Sequence, residues 1–438
     1  MTGATVPMRL ASRLVSSFAP LLAVARRRGV GEVDIATDRN SRARPRLTLG
    51  LLSTAHAAIH AQSALMPLVY AAVVVEFGLT ERDIGIFIAI TTAVGGTMQL
   101  AYGFLTRIVA RPILLGGGQL VFAGGLLLSG LAQSIGQLLG AISVARVGAS
   151  PQHPVGNAVL SDTYPEERRG FAISAHIAGG NIGTILVPFV GGALLLAIGW
   201  QATLAIFGIP ALVIGALILY FVREDHAAYR ARARASGSVW EQVRIVFGRR
   251  DLRLILAASL IAAGGRGLDI VAPFMVLYLA GPLDFDQSTV NLLYALLLVG
   301  AVVGPILAGV LSDRFGRRPV LITYYVLSAI GIVAFTAAGA NLLVLVPLLL
   351  PFGTAVFSES PVLQAYLADR ATGPLRDVAF AVYFTFAFGI GAFWAFVIGT
   401  IVGTFGYPVA FGVMAASYLA AALLLVAIRD RAAPPAAA

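Results

Sequence analysis

The sequence contains neither cysteine nor lysine, and all 31 of its basic residues are arginine. The absence of cysteine excludes disulfide bonds, thiolate metal sites and thiol nucleophiles. The absence of lysine excludes the phosphate-binding loop of ATP-hydrolysing proteins, which requires a Gly-Lys-Ser/Thr sequence. It also excludes a Schiff base to a retinal chromophore. Any active work by this protein therefore draws on an ion gradient or on a partner.

Charge is also scarce. Only 12% of the 438 residues are charged and 58% are hydrophobic, whereas a soluble domain has about 25% charged and 45–50% apolar residues. One membrane-spanning helix needs about 20 apolar residues, so the apolar content is sufficient for about twelve helices. The composition predicts an all-α membrane protein and excludes a soluble one.

Apolar runs alternate with short polar breaks along the chain. They predict twelve spans, at 49–75, 84–106, 112–132, 137–160, 171–196, 201–222, 252–280, 289–312, 319–338, 342–366, 378–402 and 406–428. We divide the chain accordingly into a basic N-terminal tail (1–46), an N-terminal six-helix bundle (47–222), a linker (223–250), a C-terminal six-helix bundle (251–428) and a C-terminal tail (429–438).

The arginines predict the orientation. With twelve spans, 28 of the 31 arginines fall on the side of the two termini, whereas Arg82 falls on the other side and Arg146 and Arg266 fall within spans. Positive charge accumulates in cytosolic loops. We therefore expect a multi-pass protein of the cytoplasmic (inner) membrane with both termini in the cytosol. The net charge of +10 is explained by these loops and does not indicate a nucleic-acid partner.

The two halves show an internal repeat. Pro67 corresponds to Pro273 and Gly103 to Gly309, both at an offset of 206 residues, and His153-Pro154-Val155 corresponds to Ser360-Pro361-Val362 at an offset of 207. A long repeat with parallel topology is typical of a transporter built from two bundles.

A loop motif between spans 8 and 9 resembles that of the major facilitator superfamily. The segment 309–318 reads GVLSDRFGRR and matches the family pattern at Gly309, Asp313, Arg314, Gly316, Arg317 and Arg318. The resemblance implies two six-helix bundles around a central cavity over residues 47–428. It also implies that this loop acts in gating. The first-half copy keeps Gly103, Arg107 and Arg111 but lacks the aspartate.

Span 5 carries a second motif, which resembles the antiporter motif of the same family. It matches at Gly183, Pro188, Gly191 and Gly192, with Val187 in place of one glycine. The resemblance implies export, whereas close packing of small residues is the simpler interpretation. The sequences QHPVG (152–156) and GGNIG (179–183) also resemble the fosmidomycin-resistance type of facilitator.

Polar side chains within spans are candidates for function, because a charged group at mid-bilayer costs about 2.5–3.5 kcal/mol on insertion scales. The resemblance implies that spans 1, 4, 7 and 10 line the cavity, and most of these residues lie on those spans. The substrate-cavity candidates are His56, Gln62, Arg146, Gln152, His153, Asn181 and Gln364.

Four residues are candidates for proton coupling: Asp269, Glu359, Arg266 and His60. Arg266 and Asp269 are spaced i, i+3, so they either pair on one helix face or divide the roles of anion binding and proton carriage. His56 and His60 are spaced i, i+4, which suits zinc. We nevertheless expect a pH-sensitive cavity lining and no metal, because no glutamate completes a protease motif. We expect no cofactor.

Asp162 and Asp369 end spans 4 and 10 on the cytosolic side. We expect Asp162 to pair with Arg107 or Arg111, and Asp369 with Arg314 or Arg317, so that these pairs close the cytosolic mouth.

The sequence favours a secondary transporter that exports a small organic molecule in exchange for protons, by alternating access. An importer of an organic acid or sugar remains the alternative. A polytopic enzyme or receptor is a third class, for which no catalytic motif is found. The expected partners are the substrate, protons and the lipid bilayer, and the expected state is a monomer.

Overall fold

The computed structural model describes residues 44–106, 108–224, 239–371 and 374–428. Within these ranges the chain forms helices joined by short turns and contains no β-strand. The predicted all-α class is therefore confirmed. Residues 1–43 of the predicted N-terminal tail, Arg107, residues 225–238 of the linker and the C-terminal tail lie outside the described residues.

We number the helices after the predicted spans. In the N-terminal half, helix 4 contains a π-helical turn at Gln152–Gly156, and helix 5 contains one at Val187–Gly191. The bounds are Pro45–Phe77 for helix 1, Glu81–Leu105 for helix 2, Arg111–Ser129 for helix 3, Ile135–Ala149 and Asn157–Thr163 for helix 4, Glu166–Leu186 continuing to residue 198 for helix 5, and 200–221 for helix 6.

A linker helix, Val239–Gly248, precedes the C-terminal half. The bounds there are Arg250–Ala262 and Ala272–Ala280, with a π-helical turn at Gly267–Val271, for helix 7, Gln287–Phe315 for helix 8, Arg317–Ala338 for helix 9 and Leu342–Val356 and Glu359–Arg370 for helix 10. They are Pro374–Phe384 and Phe393–Phe405, with a π-helical turn at Thr385–Ile390, for helix 11, and Tyr407–Val426 for helix 12.

Ten helical runs of the described chain, some of them with internal breaks, are long and apolar enough to cross a membrane. One of them, Phe171–Phe221, has 51 residues and contains both helix 5 and helix 6. It is interrupted at Gly199, whose φ of 76° is readily adopted only by glycine. Helix 4, which a turn at Ser150 and Pro151 divides, is not among the ten. Divided at Gly199 and joined across Pro151, the described helices correspond to the twelve predicted segments.

Polar caps fix where several helices begin. Thr80 and Asp83 form a capping box at the start of helix 2. Asp286 accepts hydrogen bonds from the backbone N–H groups of Ser288 and Thr289 at the start of helix 8. A further bond from the Thr289 hydroxyl, together with these two, lowers the pKa of Asp286. Both helices begin before the apolar runs predicted from hydropathy, because capping residues are polar.

The halves meet along three pairs of helices. Helix 2 packs against helix 11, helix 5 against helix 8, and helix 1 against helix 7. The first two pairs exchange under the sequence repeat, since helix 8 corresponds to helix 2 and helix 11 to helix 5. The other close pairs, among them helices 1 and 5 and helices 8 and 10, lie within one half. This arrangement is that of two pseudo-symmetric bundles.

Candidate functional site

Four histidines of the N-terminal half lie together. His56 and His60 are on helix 1, His153 is at the π-helical turn of helix 4, and His176 is on helix 5. The His56 ring centroid lies 4.4 Å from that of His60, 4.9 Å from that of His153 and 4.4 Å from that of His176. The sequence predicted that His56 and His60 share a face, but His176 was not among the site residues selected from the sequence.

Hydrogen bonds join this histidine cluster (His56, His60, His153, His176) internally and to helix 5. His56 Nδ1 lies 3.0 Å from the carbonyl oxygen of His176, and His60 Nδ1 lies 3.4 Å from Thr184 Oγ1. Within the described chain, His56 Nε2 and both ring nitrogens of His176 are buried and have no partner. Unsatisfied buried polar atoms are rare in folded proteins, so this cluster has unused binding capacity.

Other cavity candidates of the N-terminal half are buried close to helix 1. Gln152 donates from Nε2 to the carbonyl oxygen of Leu52 at 2.7 Å. Arg146 donates from Nη1 to Ser63 Oγ at 3.1 Å. Gln62 is buried on helix 1, and its Nε2 finds no partner among the described residues. The sequence did not select Ser63 as a site residue, since a lone serine in an apolar helix carries little signal.

The C-terminal half contains a buried ion pair between helices 7 and 10. Arg266 Nε lies 3.3 Å from Glu359 Oε1. Glu359 is 3% exposed, and its second oxygen, Oε2, has no partner in the described part of the chain. The Arg266 guanidinium also donates to the carbonyl oxygen of Ala387 and lies 4.7 Å from the ring centroid of Phe388, both on helix 11.

The pairing of Arg266 with Asp269, one of two interpretations of their spacing, is not formed. Helix 7 is interrupted at Arg266, whose ψ of 131° is not helical, so the i, i+3 geometry of a continuous helix is lost. The sequence Gly264-Gly265-Arg266-Gly267 carries the signal for this break, because glycine is unfavourable in a helix interior.

Asp269 and Arg266 nevertheless line one small cavity between helices 2, 7 and 11. Thr92 adds a polar side chain and Ala387 an apolar one to its wall, and the cavity volume is about 10 Å³. That space suits about one water molecule. An organic substrate at this point therefore requires the halves to move apart.

Two further cavity candidates stand apart from these clusters. Gln364 on helix 10 donates from Nε2 to Ser360 Oγ at 2.9 Å, and Ser360 lies 3.5 Å from the Tyr383 hydroxyl. Asn181 is half-buried on helix 5. Its sequence neighbour Gly180 lies against the rings of His56 and His60, where a Cβ would meet both at about 3 Å.

The gating motif joins helices 8, 9 and 10. Arg317 Nη1 lies 2.6 Å from Asp313 Oδ1, and Arg317 Nε lies 3.4 Å from Asp369 Oδ2. Gly316 has a φ of 91°, which a residue with a Cβ rarely adopts, and it permits the tight turn between helices 8 and 9. Arg318 donates to the carbonyl oxygen of Leu425 on helix 12.

The remaining gating residues behave differently. Arg314 lies over the ring of Phe315, and the space around a Cβ at Gly309 is open. In the N-terminal half, Arg111 Nη2 lies 2.9 Å from Asp162 Oδ2, and Arg111 also pairs with Glu224. Asp162 with Arg111 and Asp369 with Arg317 are pairs that the sequence predicted. Each of these two pairs joins helices of the same half, and closure of the cytosolic mouth by them stays a prediction.

The glycines of the antiporter-like motif lie at close helix contacts. A Cβ on Gly183 would lie 2.0 Å from the carbonyl oxygen of Ala57 on helix 1, and one on Gly192 would lie 2.6 Å from Asn291 on helix 8. Pro188 and Gly191 fall within the π-helical turn of helix 5. The motif thus provides close packing within the N-terminal half and between the halves.

Comparison with known proteins accords with this geometry. The chain is 25% identical over 362 residues to the "Fosmidomycin resistance protein" of Escherichia coli K12, covering 81% of this chain and 86% of that protein. It is 26% identical over 346 residues to the "Probable 4-methylmuconolactone transporter" of Cupriavidus pinatubonensis, covering 76% of each. The solved structure of the nucleoside transporter NupG superimposes with a TM-score of 0.72 at 14% identity, over 88% of this chain and 99% of that one.

The family assignment follows from a further match, to a sequence model of a whole protein family. The sequence model of the Major Facilitator Superfamily matches residues 51–273 and 255–438, which together cover most of the chain. The resemblance found in the loop motif is thereby confirmed, and two of these related proteins are named as transporters. The chain belongs to the Major Facilitator Superfamily and is a multi-pass membrane transporter.

Proposed function

We propose that the protein is a secondary exporter, which exchanges protons for a small organic molecule by alternating access of its two halves. In this proposal it works as a monomer in the cytoplasmic membrane with both termini in the cytosol. The observation that carries the coupling proposal is the buried pair of Arg266 and Glu359, in which one carboxylate oxygen has no partner among the described residues.

Glu359 is suited to carry the proton because its charge state decides whether the ion pair exists. When Glu359 is ionised, Arg266 is neutralised by it at 3.3 Å. When Glu359 takes up a proton, the charge attraction ends and Arg266 can turn to another anion. Breaking a buried ion pair leaves an uncompensated charge and costs about 3–5 kcal/mol. A substrate or a rearrangement that supplies a new partner to Arg266 is thereby linked to protonation.

The pair also contacts helix 11, which in this proposal moves as the transporter changes conformation. Arg266 contacts Ala387 and Phe388 on helix 11, and helix 11 packs against helix 2 of the other half. A change in the partner of Arg266 therefore alters the contact between helix 11 and helix 2, where the halves meet. Asp269, which faces the same small cavity, is proposed as a second acidic group on the proton path.

Export is favoured over import by the kind of relative and by the motif of helix 5. One relative is named for resistance to fosmidomycin, and resistance by a transporter means removal of the compound. The glycines at 183, 191 and 192 resemble the motif that marks exporters of the family.

Import of an organic acid or sugar is the second candidate. It is favoured by the relative named as a 4-methylmuconolactone transporter, and by the availability of Arg266 as an anion partner. The two candidates use the same coupling pair and differ in the direction in which the substrate crosses.

The test measures proton flux in inside-out vesicles with an acidic interior, while antibiotics, phosphonates, organic acids and sugars are added one at a time. Wild type is compared with Glu359→Gln and Asp269→Asn. Glu241→Gln on the linker helix is the matched control, since it removes an exposed carboxylate.

Exporter function predicts that at least one compound collapses the gradient in wild type and in Glu241→Gln, and that Glu359→Gln abolishes the response. Collapse that persists unchanged in Glu359→Gln contradicts the role of this residue. If no compound moves protons while labelled acids or sugars enter whole cells, the import candidate replaces export.

A further inference from the structure

Four of the five histidines of this protein meet in one place, although they come from three helices. The fifth, His226, lies outside the described residues. The proposed coupling pair makes no use of this cluster. Ordinary packing does not account for it, because imidazoles are polar and several of their nitrogens are buried without a partner in the described chain.

Three of these histidines present nitrogen atoms to a common point. One ring nitrogen from each of His56, His60 and His153 lies within 4.8 Å of the other two. Metal–nitrogen bonds to zinc are about 2.0–2.1 Å long, so the ligand atoms of a tetrahedral site lie about 3.4 Å apart. The nitrogens therefore have to approach by at most about 1.4 Å. Small rotations of the side chains about χ1 and χ2 are sufficient for this.

The hydrogen bond of His56 prepares its ring to be a ligand. A carbonyl oxygen can only accept, so the bond to His176 at 3.0 Å requires the hydrogen to be on Nδ1 of His56. In the neutral ring Nε2 then carries a lone pair, and this atom is buried without a partner among the described residues. Histidine ligands of metals usually donate their other N–H to a backbone carbonyl or carboxylate in this way.

We propose that His56, His60 and His153 form a binding site for a divalent transition-metal ion. Imidazole suits Zn²⁺, Cu²⁺, Ni²⁺ and Co²⁺, whereas Ca²⁺ and Mg²⁺ require oxygen ligands. Three protein ligands leave a fourth coordination position open for water or a donor group of a bound molecule. His176 stacks on His56 with an interplanar angle of 19° and supports its orientation.

The site lies where the halves meet. The His153 ring stacks on Phe384 of helix 11 with centroids 5.7 Å apart, so an ion bound by the N-terminal half has the C-terminal half as a neighbour. The spacing of His56 and His60 suits zinc, but without a glutamate to complete a protease motif the sequence led us to expect no metal. The third ligand comes from helix 4, nearly a hundred residues further along the chain.

The test uses the full-length protein in detergent, purified with a histidine-free tag and stripped with EDTA. Co²⁺ is titrated while its visible absorption is recorded, because tetrahedral Co²⁺ absorbs strongly, and Zn²⁺ is then added as a competitor. The variants are His60→Gln and His153→Gln, and His226→Gln is the matched control. Size-exclusion profile and helical circular dichroism verify that each variant is folded.

We expect wild type and His226→Gln to bind one equivalent of Co²⁺ that Zn²⁺ displaces. Each folded variant of His60 and His153 should bind at least about 100-fold more weakly, because a direct ligand contributes at least as much to affinity as the outer-shell partners, whose loss costs about 10–100-fold. Absence of saturable binding below about 100 µM in wild type overturns the proposal. So does binding that survives in a folded variant of either ligand, or that is lost in His226→Gln.

Discussion

Replacing Gly96 with alanine tests whether the contact between helices 2 and 11 opens during function. A Cβ at this position would lie 2.3 Å from the backbone nitrogen of Gly389 and 2.4 Å from the carbonyl carbon of Phe388. Non-bonded carbons are comfortable at about 3.5–4.0 Å, so the helices must separate by about 1 Å. The obstacle is backbone and no rotamer change relieves it. Overpacking of this kind costs about 1–3 kcal/mol.

In an alternating-access transporter this cost applies only to the conformation in which the two helices are in contact. The conformation in which this interface is open does not carry this cost. Its population relative to the closed conformation should therefore rise by about 5- to 150-fold. Thr92 precedes Gly96 by one helical turn, is 8% exposed and lines the small cavity beside Arg266. Opening should expose it.

The assay is thiol labelling of Thr92→Cys, for which the natural absence of cysteine gives a clean background. The labelling rate should rise within the stated range when Gly96→Ala is added. The matched control is Gly117→Ala on helix 3, where a Cβ meets nothing within 4 Å. An unchanged rate in Gly96→Ala, or an equal rise in Gly117→Ala, would refute the reasoning.

Two further predictions concern the motifs. Asp313→Asn should slow turnover, because it removes the carboxylate that pairs with Arg317 between helices 8 and 9, and it should leave substrate affinity intact, because this exposed pair contributes only about 0–1 kcal/mol to stability. Transport rates and binding titrations check this, and unchanged turnover would remove the gating role. Gly183→Ala should lower the midpoint of thermal unfolding, since its Cβ would collide with the Ala57 carbonyl oxygen, whereas Gly124→Ala, with open space around it, should not. Equal midpoints in the two variants would contradict the packing role.

The helices were predictable because hydropathy and helix-breaking residues are local signals in the sequence. The predicted run 406–428 corresponds to helix 12 at Tyr407–Val426, and the predicted run 319–338 corresponds to helix 9 at Arg317–Ala338. The resemblance carried by 309–318 gave the family. Helix starts were less accurate where polar caps such as Thr80 extend the helix beyond its apolar run.

The candidate sites were only partly predictable, because their pairs are distant in sequence. Arg266 and Glu359 were both selected, but the sequence offered Asp269 as the nearer partner, and the break in helix 7 removed that geometry. In the same way, i, i+4 spacing found His56 and His60. Only the packing of helices 1, 4 and 5 brings His153 and His176 beside them. Hydropathy does not indicate which faces of two helices far apart in the sequence contact each other.

The most direct test of proton coupling at Glu359 compares driven transport with exchange. A substrate found in the vesicle screen is loaded on both sides of the membrane, and exchange of label without a proton gradient is measured beside gradient-driven accumulation. The account predicts that Glu359→Gln loses accumulation but retains exchange, because the neutral side chain lets the halves alternate without moving a proton. Accumulation driven by the gradient in Glu359→Gln would contradict it.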